Sequence, residues 1–333
     1  MPLFLELVRK AGEDDPQMAR KALAGLRAYE QAERGPARPT LPEAARIGGA
    51  CLRDHGGDGP VAILVPSLIN PPRILDLDDE TSLAAAVTGM GRRVLLLDWG
   101  AADDRRELSV SSHVEQLLVP LIEAIGEPPA LIGYCLGGTM AMAAANLVPA
   151  ERVANLAGPW HFGAYPAESR NGLQNLWAHS RASAQTLGAL PMELLQAAFW
   201  SLDPLRTVAK FADFDDLEPG SAQARRFVAL EDWANEGEAL PLPAAEELIE
   251  RMFGADLPGK GQWRVGGKPM SEELAVPLLN LTAGTDRIAP AATAPAGPSE
   301  SILSGHVGML VGSKRLQLHR ALARFVDPSC HSG

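Results

Sequence analysis

The 333-residue sequence predicts an α/β protein: a mostly parallel, doubly wound sheet with a helical cap inserted late in the chain. Three observations predict it. Apolar runs of strand length alternate with helical segments over residues 61–147, as in a parallel sheet with crossover helices. A turn of small residues, Gly133-Tyr134-Cys135-Leu136-Gly137-Gly138-Thr139, joins one such run directly to Met140-Ala141-Met142-Ala143-Ala144-Ala145, a strong helix former. Residues 167–274 then turn helical and rich in Leu, Trp, Ala and Pro, before a strand signal returns at residues 276–282.

The totals narrow the function classes. With 46% hydrophobic residues, the chain can build a large core without metal or disulfide staples. The net charge is −11 and no basic stripe stands out, so nucleic-acid binding is not expected. Cys51, Cys135 and Cys330 are the only cysteines. An odd, unpaired set fits neither a disulfide framework nor a zinc site, and it suits a reducing cytosol. The first ten residues lack the layout of a signal peptide, and no apolar run is long enough to span a bilayer. A cytoplasmic protein without metal or cofactor is the expectation.

Each element follows in order. Asp15-Pro16 offers an N-cap and a proline at the first helical position. Met18, Ala22, Leu26 and Tyr29 then share one helix face, which could pack on its own domain or on a partner. Gly35-Pro36 ends this helix, and a proline-rich linker covers residues 36–42. Residues 61–66 form a continuous apolar strand of the buried parallel type. It leads into Ser67-Leu68-Ile69-Asn70-Pro71-Pro72. Residues 80–91 read as a helix, 92–100 as a strand, 114–125 as a helix, and 152–157 as a shorter strand ending at Gly158-Pro159-Trp160-His161-Phe162. A last helix runs from residue 314 to about 325. The domain plan is a helical segment and linker at 1–45, a core at 46–166 and 275–327, and a cap at 167–274.

A strand, a tight G-x-C-x-G-G turn and a helix together match the nucleophile elbow of α/β-hydrolases. The residue at its apex is Cys135. Asp286, on the Gly284-Thr285-Asp286 turn after a strand, and His306, in the loop Ser304-Gly305-His306-Val307-Gly308, follow it. Nucleophile, acid, histidine is the chain order of that fold's triad. His306 would activate Cys135 and Asp286 would orient the imidazole. The Leu136 amide is the expected main oxyanion donor, with Leu68 or Ile69 supplying the second. Tyr134, Trp99, Trp160 and His161 are pocket candidates. His161 rivals His306, yet its place in the chain does not fit the triad order. A thiol attacking a thioester keeps the acyl group activated for transfer to a hydroxyl. Cysteine therefore favours acyl transfer, and a cap that excludes water would favour it further.

These residues carry a resemblance. Val65-Pro66-Ser67-Leu68-Ile69-Asn70-Pro71-Pro72-Arg73-Ile74-Leu75-Asp76-Leu77, Leu97-Asp98-Trp99-Gly100, the Cys135 elbow, Gly284-Thr285-Asp286-Arg287-Ile288-Ala289-Pro290 and the His306 loop resemble the polyhydroxyalkanoate synthase (PhaC) family. The likeness covers roughly residues 61–316 and is weaker through the cap. It implies an α/β-hydrolase-fold acyltransferase that takes 3-hydroxyacyl-CoA thioesters as substrate without a cofactor. Cys135, Asp286 and His306 would hold the catalytic roles. It also implies a homodimer or a second synthase subunit, and association with polymer granules. Arg287 stands where the family usually has His, and Ala291 where it usually has Trp. Two other readings are a hydrolase of thioesters or polyesters and a catalytically weak partner or granule-binding subunit. The complete Cys, Asp and His set argues against the last.

Overall fold

The structure is a computed structural model and describes residues 2–36 and 38–327. Cys330 and His331 lie outside the described residues. The chain divides into two compact units, one made of Met1–Pro39 with Glu193–Glu236, the other of Thr40–Met192 with Gly237–Gly333.

The larger unit is built on eight strands: β1 Glu43–Ile47, β2 Ala50–Asp54, β3 Val61–Val65, β4 Arg93–Asp98, β5 Ala130–Tyr134, β6 Arg152–Leu156, β7 Leu278–Ala283 and β8 Ser299–Ile302. Their order across the sheet is β1-β2-β4-β3-β5-β6-β7-β8. From β4 to β8 every pairing is parallel. Only the β1–β2 hairpin is antiparallel, within itself and against β4. The expected doubly wound α/β sheet is therefore present. Every residue of β3 and β5 is buried, as their unbroken apolar sequences require of strands covered on both faces. The chain runs from β3 out to β4 and returns on the other side as β5. The strand order thus reverses between β3 and β5, where open α/β sheets place their ligand crevice.

The helices differ in detail from the sequence reading. The helix expected at 80–91 is Leu83–Thr88, started by Ser82, whose Oγ accepts from the Ala85 N–H at 2.9 Å. The helix expected from 114 begins earlier, at Val110, and its middle, Val114–Leu118, is wound as a π-helix. The elbow helix Leu136–Ala145 is buried almost throughout. Its lack of a polar face fits a helix inside the core.

Several boundaries and elements differ from the expectation. Residues 43–45, expected in the linker, open strand β1. The sequence reading gave no strand at β2 or β8, and within its helical segment at 1–45 it did not mark the separate helix Pro2–Asp14. The segment expected as one cap, 167–274, is split. Ala167–Leu187 and Leu242–Glu246, with the π-helix Glu247–Gly254, lie in the larger unit, as do two two-stranded ribbons. Residues 193–236 cluster instead with the N-terminal helices.

That smaller unit has its own core. Phe4, Val8 and Ala11 of Pro2–Asp14 and Ala22 of Pro16–Gln31 pack with Val208, Phe211 and Ala212 of the helix Pro204–Asp215. Met18, Leu26 and Tyr29 flank it, so the apolar face seen in the sequence is used here. Gly25 sets the spacing: a Cβ on it would sit 1.8 Å from the Phe211 carbonyl oxygen. Asp15 caps its helix as expected, accepting from the Gln17 and Met18 N–H groups at 3.0 and 2.9 Å.

Candidate active site

The site begins at the end of β5. Cys135 has φ 56° and ψ −133°, a conformation that side chains rarely adopt and that costs on the order of 1–3 kcal/mol. The surrounding packing holds it there. Cys135 N–H donates to the Leu156 carbonyl at 2.9 Å, and Cys135 C=O accepts from Gly138 N–H at 2.8 Å. The close approach explains the small residues of the motif. A Cβ on Gly137 would stand 2.1 Å from the Val65 carbonyl oxygen, and one on Gly138 would stand 2.0 Å from Oδ1 of Asn155. The elbow helix therefore starts against the end of β3. Leu136 is its first residue, so its N–H has no intrahelical acceptor.

Parallel pairing of β7 and β8 brings Asp286 and His306 together. The two strands end side by side, and the loops continue the ladder. Gly284 N–H donates to Ile302 C=O at 2.7 Å, and Thr285 N–H to Ser304 C=O at 3.0 Å. Asp286 Oδ1 then accepts from the Ile288 and Ala289 N–H groups at 2.8 and 2.9 Å. Its Oδ2 accepts from His306 Nδ1 at 2.6 Å. Both carboxylate oxygens are occupied, so the imidazole is fixed in one tautomer and one plane. With Nδ1 committed to Asp286, the other ring nitrogen is left for Cys135, whose charge acts on the imidazole.

Electrostatics favour a charged imidazole here. Burial alone would lower the His306 pKa. Against it stand the charge of a Cys135 thiolate, the hydrogen bonds to Asp286 and Cys135, and the charge of Asp286, and the result is pushed up to about 10. Tyr134 lies beneath the ring, with centroids 4.9 Å apart and planes at 32°. Its hydroxyl donates to the His306 carbonyl at 3.3 Å. Burial, then the charges of Cys135 and Asp286, raise the Tyr134 phenol well above its ordinary pKa. The same is true of Tyr165, a neighbour of the site that the sequence reading did not single out.

The other sequence candidates have these surroundings. Trp99 is buried, donates from Nε1 to the Pro66 carbonyl at 3.1 Å, and meets His113 edge-on. Trp160 is buried edge-on against Trp263. His161 Nε2 is 2.8 Å from Glu272 Oε2, not on Asp286. Leu68 and Ile69 are buried in the turn after β3. Cys51 is buried in β2. Among the described residues no group of three or more His, Cys, Asp or Glu side chains is placed to hold a metal ion, and no helix is long and apolar enough to cross a membrane.

No protein-family profile matches the chain. Curated proteins do. Over 76% of its length the chain is 26% identical to the poly(3-hydroxyalkanoate) polymerase subunit PhaC of Haloferax mediterranei, taking in 55% of that protein. It is 26% identical to the protein of the same description from Synechocystis sp., over 76% of this chain and 73% of that one. A third, from Allochromatium vinosum, is 25% identical over 76% of each. The chain thus spans little more than half the length of the Haloferax relative. Among solved structures, Epoxide Hydrolase A from Mycobacterium thermoresistibile superposes with a TM-score of 0.54 at 18% identity, covering 87% of this chain and 99% of that one. This last likeness speaks for the fold alone. The elbow, the sheet order and the solved structure agree on an α/β-hydrolase fold, and in sequence the chain is similar to PhaC proteins.

Proposed function

We propose that the protein is an acyltransferase that takes 3-hydroxyacyl groups from CoA thioesters onto Cys135 and passes them to a hydroxyl. The Asp286–His306 hydrogen bond, with Cys135 at a nucleophile elbow acting electrostatically on the imidazole, carries this reading. His306 holds a proton shared with the Cys135 thiol. The thiolate attacks the thioester carbonyl, and the oxyanion that forms is met by the backbone N–H of Leu136 and by that of Leu68 or Ile69 in the turn after β3. Collapse breaks the carbon–sulfur bond to CoA, and the imidazolium returns its proton to the departing thiolate. The acyl group is then a thioester of Cys135. A second substrate's hydroxyl gives its proton to His306 and attacks that thioester, so an ester bond forms and the Cys135 sulfur is released. Asp286 keeps the imidazole oriented through both halves. No cofactor takes part in these steps. The description of the relatives as polymerase subunits supports action within an assembly; a homodimer or a pair with a second subunit, in the cytoplasm or on polymer granules, is part of the proposal.

The test is CoA release from 3-hydroxybutyryl-CoA, scored alongside polymer. Polymer with CoA release is the expected result. CoA release without polymer makes the protein a thioester hydrolase, and neither from folded protein removes both enzyme readings. Cys135→Ala abolishes turnover, whereas Cys51→Ala and Cys330→Ala do not. Full activity in Cys135→Ala would overturn the nucleophile.

A further inference from the structure

Three of the four carbonyls from Pro66 to Ile69, in the turn after β3, are held from outside the turn. Trp99 Nε1 donates to Pro66 C=O at 3.1 Å. Arg105 Nη2 donates to Leu68 C=O at 3.3 Å. Glu238 N–H donates to Ile69 C=O at 3.1 Å. Arg105 Nη2 also donates to Glu238 Oε2 at 3.3 Å, so Leu68, Arg105, Glu238 and Ile69 close a ring of contacts. The Arg105 side chain is only 4% exposed, and its Nε reaches Gly100 C=O at 3.4 Å. None of these groups takes part in the chemistry set out above, and a buried cation needs a structural or functional reason.

The turn also separates two donors that the sequence left as alternatives. Ile69 N–H is already given to Ser67 Oγ at 3.3 Å. Among the described residues, no acceptor is recorded for Leu68 N–H. The turn leaves β3 beside the first turn of the elbow helix, where a Cβ on Gly137 would collide with the Val65 and Pro66 carbonyls.

We propose that Leu68 N–H is the second oxyanion donor and that Arg105 and Glu238 are positioning residues that hold it in place. The proposal rests on Cys135 being the acyl-accepting nucleophile. A donor stabilises an oxyanion only when its direction is fixed beforehand, and losing one donor slows such reactions by about 100- to 1000-fold. Anchoring the carbonyls of both Leu68 and Ile69 fixes the peptide planes around Leu68. Arginine suits the task because one planar fork serves several acceptors, which lysine cannot reproduce.

The experiment compares two reactions of Cys135 in the same proteins. Single-turnover acylation by 3-hydroxybutyryl-CoA passes through an oxyanion. Alkylation by iodoacetamide displaces iodide at a tetrahedral carbon and forms none. Arg105→Met and Glu238→Ala are expected to slow acylation by about 10- to 100-fold at an unchanged half-saturating substrate concentration. Alkylation should keep the wild-type rate. Arg105→Lys should recover part of the loss. Glu238 is 45% exposed in its side chain, so Glu238→Ala carries the test even if Arg105→Met fails to fold. Acylation at the wild-type rate in Glu238→Ala, or acylation and alkylation falling together, overturns the proposal. Wild-type Cys135 that alkylates but never acylates overturns the acyltransfer reading, and this proposal with it.

Discussion

Asp286 shows how much one carboxylate can settle. Two backbone N–H groups hold one oxygen, and His306 takes the other. Asp286→Asn can keep the backbone bonds, but it would place an amide N–H against Nδ1 and turn the imidazole to the wrong tautomer. CoA release is expected to fall on the order of 10⁴-fold, as in serine enzymes with the same change. Circular dichroism and Tm should stay close to wild type. The pairing of Asp286 with His306 was legible in the sequence because the loops that carry them, like Cys135, each follow a strand in a set chain order. Arg105 was not. Its partners Leu68, Gly100 and Glu238 come from three segments, and no spacing in the sequence joins them.

Among the elements, the strands that could be read were those with buried, unbroken apolar sequence, such as Val61–Val65 and Ala130–Tyr134. Strand Ser299–Ile302 is exposed at three of its four positions. As the outer strand of the sheet it has no apolar face to betray it, yet it is the strand that delivers His306. The β1–β2 hairpin escaped for a similar reason, since Glu43–Ile47 is exposed or half-buried throughout. Helix Val110–His113 carries a prediction of its own. His113 is fully buried, with Nδ1 donating to Ser109 C=O at 2.7 Å. Burial, only partly offset by that bond and reinforced by the charge of Arg105, lowers its pKa to about 4. The unfolded chain, near 6.5, therefore takes up the proton first as pH falls. The stability from neutral His113 is complete above about 6.5 and is lost as pH falls toward about 4, on the order of 3 kcal/mol in all. Urea titrations between pH 7 and 4 should show a shallower acid-side decline in His113→Gln. Parallel declines in the two proteins would contradict the assignment.

At the scale of the molecule, the least legible feature is that the smaller unit is discontinuous in sequence. Helices at the N-terminus and helices near residue 210 share one core. Periodicity announced the apolar face of Pro16–Gln31 but not its partner, because an amphipathic stripe states that something must cover it and not what does. The contact is tight at Gly25. Gly25→Val cannot fit without moving the helix Pro204–Asp215, and overpacking of this kind costs about 1–3 kcal/mol. The urea midpoint of the helical signal should drop accordingly. Gly35→Val, where a Cβ meets nothing within 4 Å, should leave it in place.

The backbone at Cys135 has a consequence for evolution of the fold as well as for chemistry. A glycine at φ 56° and ψ −133° would relieve the side-chain strain, whereas an alanine would not. Cys135→Gly should therefore melt above Cys135→Ala, by on the order of 1 kcal/mol, with both proteins inert. Selection for stability alone would erase the sulfur. On the proposed function, its presence at a strained turn after β5 marks a trade-off in which the chain gives up robustness to keep a nucleophile at the end of the sheet.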